Sequence, residues 1–177
     1  SSFITAIGWS DGHLQPSVPK PILAVSSEQG QLLIYDFYSN KKIGYFLFNE
    51  PIVSILWSSI IQNRFYVGSS TGHFYICEIN KKVIRIIKMF DFYSNSIDFI
   101  AQDDVDGMTL AIASKDGSIG FITNLKNPIQ SKLQIYHNFN FNESNKNTID
   151  NIINFFDFYP NNQDFITVST NSATFLI

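Results

Sequence analysis

The stretch "SSEQGQLLIYD", residues 26–36, couples a serine-rich polar turn with a glycine to four consecutive apolar residues and then an acid. A strand covered on one face alternates apolar and polar side chains, whereas a strand covered on both faces reads as a continuous apolar run. Leu32–Tyr35 therefore predicts a strand pressed between two layers and entered through a tight turn at Gly30. Further along the chain the same device recurs as "SSTGHFYICE" at 69–78, "SKDGSIGFIT" at 114–123 and "STNSATFLI" at 169–177. Gly30, Gly72, Gly117 and Asn171 align in these turns, at separations of 42, 45 and 54 residues. Glycine and asparagine are the residues that best tolerate the positive φ of tight hairpin turns.

Each turn sits inside a longer unit. Ahead of it lies a β-rich run: "PILAVSS" (21–27), "RFYVGSS" (64–70), "MTLAIAS" (108–114) and "DFITVST" (164–170). Earlier still come "FITAIGW" (3–9), "PIVSILW" (51–57), "SIDFIAQ" (96–102) and "IINFFDF" (152–158). A fourth run closes three units: "IGYFLF" (43–48), "VIRIIKM" (83–89) and "IQSKLQIY" (129–136). The spacing in "VIRIIKMF" and "IINFF" also suits a helix, but β-branched Val83, Ile84, Ile86 and Ile87 and the repeat register favour strands.

Four short strands in a unit of about forty residues is the period of a propeller blade. The expected fold is all-β, a single domain of about four blades of four antiparallel strands over residues 3–48, 51–89, 96–136 and 149–177. Residues 137–148 are expected as a loop insert between blades, and 11–20 as a loop stiffened by Pro16 and Pro19. An open arc of blades leaves apolar faces wet, and a chain ending within a third strand leaves its last blade short. Either further blades or a partner is therefore expected to complete a ring of about seven blades.

The turn and third strand of "SKDGSIGFIT" resemble the WD40-repeat family, with its serine, x, aspartate, glycine turn; Tyr35-Asp36 and Cys77-Glu78 stand where the family closes that strand with Trp-Asp. The resemblance spans essentially the whole chain. The family's Gly-His pair is absent from all four units, and only Ser26, Ser69, Ser114, Ser169 and Asp116 match its buried polar network. Apolar packing is therefore expected to hold the blades, with Trp9 and Trp57 as anchors at the ends of equivalent strands. The resemblance implies a non-catalytic scaffold that docks proteins in a multi-subunit assembly. Such propellers serve trafficking coats, ciliary transport, ubiquitin ligases and ribosome assembly.

Composition narrows the alternatives. The 177 residues carry a net charge of −3, and Arg64 and Arg85 are the sole arginines, a poor basis for tracking nucleic-acid phosphates. Cys77 is the single cysteine, so neither an internal disulfide nor a Cys-based zinc site is expected. "SSFITAIGW" lacks a basic n-region, and no apolar run reaches the length of a membrane span, so an intracellular, cytoplasmic location is expected. Sialidase-type propellers clamp a carboxylate with three arginines, one more than this chain has. His13, His73 and His137 fall in different contexts without a nucleophile elbow, and no catalytic residue, cofactor or metal is expected. Asp103, Asp104 and Asp106 in "QDDVDG" lack the closing glutamate of a calcium hand loop and read as a solvated turn.

Partner contact is assigned to the turns. Glu28, Gln29, Thr71, Lys115 and Asp116 are expected along one rim, where loops on a rigid scaffold carry specificity. Lys41-Lys42 and Lys81-Lys82, each after an asparagine and before a fourth strand, form an alternative basic patch for acidic peptide or phosphoinositide headgroups in membrane trafficking.

Overall fold

The computed structural model describes residues 3–10, 21–92, 96–136, 152–171 and 173–177. The loops expected at 11–20 and 137–148, and the start of the fourth unit, lie outside these residues. The fold is all-β, with one 3-10 turn, Pro128–Gln130, as the sole helical element among the described residues. Each run singled out by the repeat contains a strand, including the two with helix-like spacing.

The strands form four consecutive antiparallel meanders. The first contains β1 (Ile4–Ser10), β2 (Ile22–Ser27), β3 (Gln31–Asp36) and β4 (Lys41–Leu47). The second contains β5 (Ile52–Trp57), β6 (Arg64–Ser69), β7 (His73–Asn80) and β8 (Val83–Asp91). The third contains β9 (Phe99–Gln102), β10 (Leu110–Ala113), β11 (Ile119–Thr123) and β12 (Lys132–Tyr136). The fourth has three strands, β13 (Ile153–Tyr159), β14 (Asn162–Thr170) and β15 (Thr174–Leu176).

The turn glycines do what their chemistry suits. Gly30, Gly72 and Gly117 have φ of 77°, 90° and 94°. The carbonyls of Gly30 and Gly72 accept the amides of Phe48 and Phe92, which hang the buried start of each linker on the preceding turn. A Cβ at Gly30 would meet the carbonyls of Phe48 and Glu50, backbone atoms that cannot swing aside.

Residues directly opposite in an antiparallel ladder share a face, so the register sorts each meander into two faces. In the second meander Val67 and Tyr75 pack back toward the first, while Tyr66 and Ile76 pack forward toward the third. The pattern repeats: Leu32 and Ile34 face forward from the first meander, and Leu110 and Ile122 face back from the third. Ala111 and Ile119 face forward from the third, to meet Ile166 and Val168 on the back of the fourth. Three apolar clusters thus fill the three seams between successive meanders.

Several expectations are corrected. The third strand is driest where a meander has two neighbours: Phe74–Cys77 of β7 are buried, and within Ile119–Ile122 of β11 Phe121 is half-buried, while every position of the second strands β6 and β10 is buried. β3 alternates between buried and half-buried, and β15 is half-buried to exposed, because the end meanders are covered on one face only. Asn171 does not replace the turn glycines. Pairs Val168↔Phe175 and Ser169↔Thr174 enclose an even-length connection, whereas Val67↔Tyr75 and Gly68↔Phe74 enclose an odd one. The one-residue change turns Leu176 outward from the seam. Trp57 is an anchor, 8% exposed, but Trp9 is 46% exposed and rests edge-on against Phe37. Lastly, β4 and β8 are joined by a parallel bridge at Tyr45↔Val83, so the first two meanders make one eight-stranded sheet rather than two separate sheets.

Candidate functional site

Meander topology places the β2–β3, β6–β7 and β10–β11 turns at one end of the strands and the β3–β4 and β7–β8 turns at the other. Glu28, Gln29, Thr71, Lys115 and Asp116 all lie exposed on the first set of turns. The turns of the second and third meanders are braced by carboxylates on the segments leading into them. Glu50, before β5, meets His73 Nδ1 at 2.9 and 3.0 Å and accepts the Tyr75 hydroxyl. Asp98, before β9, accepts the Lys115 amide at 3.0 Å and lies 3.7 Å from its ammonium. Burial first, and then the bond to Glu50, push the Tyr75 hydroxyl well above the ordinary tyrosine range. Sequence reasoning missed Glu50 and Asp98, because each sits on a linker where no repeat register points to it.

His73 is half-buried beside Thr71, whose hydroxyl lies 3.2 Å from Nδ1. Glu50 contacts that same nitrogen. A nucleophile–base relay needs its hydroxyl and its carboxylate on opposite ring nitrogens, so this trio braces a turn and does not form such a relay. His13 and His137 lie outside the described residues. Arg64 is buried, pairs with Glu78 across β6 and β7, and donates from Nη1 to the Leu125 carbonyl at 2.5 Å. It ties the second meander to the third. Arg85 is exposed on β8.

The aspartate cluster divides. Asp103 is buried rather than solvated, and its carboxylate accepts the amides of Val105, Asp106 and Thr109 at 3.0 Å each. Burial pushes its carboxyl up, but the backbone hydrogen bonds outweigh it and hold the group below the usual carboxylate range. Asp104 accepts the Asn161 amide of the fourth meander at 3.0 Å, and Asp106 caps Met108. Among the described residues no group of three or more His, Cys, Asp or Glu is placed to hold a metal ion.

At the end opposite the rim turns, a cavity of about 340 Å³ gathers the ends of β1, β5 and β9 with part of β13. Trp9, Trp57, Gln102, Asp104 and Asp157 line it. Partial desolvation there, with the Asp104 charge in addition, pushes the Asp157 carboxyl up. Lys81 and Lys82 border a separate cavity of about 230 Å³ that also contains Asp36, the partner of Lys41 in the β3–β4 ladder. Both lysine pairs belong to this end, with an acid beside them that opposes anionic headgroups. No family model and no curated protein matches the chain. Among the described residues no helix is long and apolar enough to cross a membrane.

Proposed function

We propose that this chain is a segment of a WD40-like propeller that serves as a non-catalytic docking scaffold in a larger intracellular complex. Each meander is a blade, and the stack curves about an axis along its first strands. The supporting observation is the convergence of those strands: β1 lies against β5, β5 against β9, and β9 against β13, and all four border the same cavity. A stack whose first strands converge is the arrangement that a closed ring of blades requires. Its seams are apolar and rigid, which leaves the turns free to carry specificity.

Glu28, Gln29, Thr71, Lys115 and Asp116 are the proposed contact residues, exposed at one end of the stack. Charge reversal of Glu28, Lys115 and Asp116, combined with Gln29→Lys and Thr71→Lys, should cut partner recovery in a pull-down at least several-fold. Circular dichroism should stay native. Undiminished recovery moves the contact surface elsewhere.

A further inference from the structure

Lys81 and Lys82 make up the whole β7–β8 turn, since Asn80 and Val83 are paired across it. Both have positive φ, 47° and 73°. A two-residue turn of this hand favours asparagine followed by glycine, because a Cβ in the left-handed region crowds the following carbonyl. Two lysines there weaken the hairpin and set two adjacent, exposed positive charges at its tip. Backbone strain of this kind is kept where a site uses it.

The tip borders the cavity of about 230 Å³ in the seam between the first and second meanders. Its apolar floor joins half-buried Ile22 and Ile43 of the first meander to buried Ile79 of the second. The volume lies below the roughly 300–1,000 Å³ of small-molecule sites and suits a single side chain. Asp36, the one acid lining it among the described residues, stands opposite Lys41 in the β3–β4 ladder, which offsets its charge. Among the described residues Lys81 and Lys82 have no acid within ion-pair distance.

We infer that this cavity and its lysine tip bind a partner-protein segment in which one aliphatic side chain is flanked by acidic residues. The aliphatic side chain enters between the three isoleucines, where burial of apolar surface holds it. The flanking carboxylates meet Lys81 and Lys82, and this charge complementarity selects the partner. A lipid headgroup brings charge but no apolar group for the floor, and Asp36 opposes its phosphates. The site lies at the end of the stack opposite the rim contacts and goes beyond the docking reading proposed for them.

The test is fluorescence anisotropy of the full chain with a short labelled peptide carrying one leucine between glutamates. Binding should saturate, weaken with added salt, and fall at least several-fold when serine replaces the leucine. Lys81→Asn with Lys82→Gly is the decisive variant, because it removes both charges and supplies the pair that the turn favours. Its thermal midpoint should rise while its peptide affinity falls at least several-fold. A turn with a structural role alone would gain the stability and keep the affinity. Lys81→Gln with Lys82→Gln, which removes only the charges, should lose the same affinity. Absence of saturable binding, equal binding of the serine peptide, or undiminished binding by either variant overturns the inference. So does capture of the chain by phosphatidylcholine vesicles carrying phosphoinositide that the peptide fails to displace, which assigns the tip to headgroups. None of these outcomes touches the rim residues, whose pull-down is read separately.

Discussion

Trp57 lies in the first seam, its ring centroid 5.0 Å from that of Phe65 and its Nε1 donating to the Gly8 carbonyl at 3.2 Å. Emptying such a site costs about 3–5 kcal/mol, so Trp57→Ala should lower unfolding free energy by that amount in a urea titration. Trp9→Ala should cost clearly less, because nearly half of that side chain already faces water. Asp103 supplies a pH dependence. Its folded carboxyl titrates below the ordinary value of 3.8, so the ionised form favours the fold. That contribution is fully present above the unfolded value and fades as pH falls through the lower folded one. Asp103→Asn should therefore flatten the loss of stability below about pH 4, read as thermal midpoints from pH 5 to pH 2. A variant that keeps the wild-type acid limb would assign that limb to other groups.

Between elements, the seams carry polar latches as well as apolar contacts. The Ser26 hydroxyl donates to the Ile52 carbonyl at 3.2 Å, and the Ser54 hydroxyl donates to the Ile97 carbonyl at 2.6 Å. Ile52 begins β5 and Ile97 lies just before β9, so the two bonds fasten successive units at comparable places. The Ile97 amide in turn donates to the Ser69 carbonyl. Ser54→Ala leaves a buried carbonyl short of its hydroxyl donor and should cost about 1–3 kcal/mol, measured by chemical denaturation. A loss under about 0.5 kcal/mol would show that another donor takes over. Strand identity was legible here because β-branched residues and turn glycines act locally. The latches were not: Ser26 read as part of a familiar turn, and Ser54 as one polar residue within "PIVSILW". What each serine bonds is set by a carbonyl 26 or 43 residues away.

At the scale of the whole molecule, the repeat period settled the strands of the described residues and their antiparallel pairing within each meander, but not the β4–β8 bridge that joins the first two. A dry run such as Phe74–Cys77 can be stable only if both of its faces are covered, and that requirement is written in the side chains themselves. That Glu28, Gln29, Thr71, Lys115 and Asp116 sit on exposed turns at one end was equally legible, since meander topology puts alternate turns at opposite ends. Burial at the two ends of the stack was not legible, because Leu32–Tyr35 and Phe74–Cys77 read alike while their surroundings differ. Whether Leu33 is dry depends on what lies beyond the back of the first meander, and that is a property of the assembled stack. The same holds for Trp9 and Trp57, matched in sequence position and parted by having one neighbour or two. Arg64 was out of reach for a related reason, since its Leu125 acceptor comes near only after the second and third meanders pack, whereas Asp103 is held by amides of its own β9–β10 loop. The sequence by itself determined the strands, their turns and their alternating faces, because these follow from local sterics and hydrophobic period. Only the tertiary structure decided which faces are covered, since burial depends on the neighbours that a strand acquires.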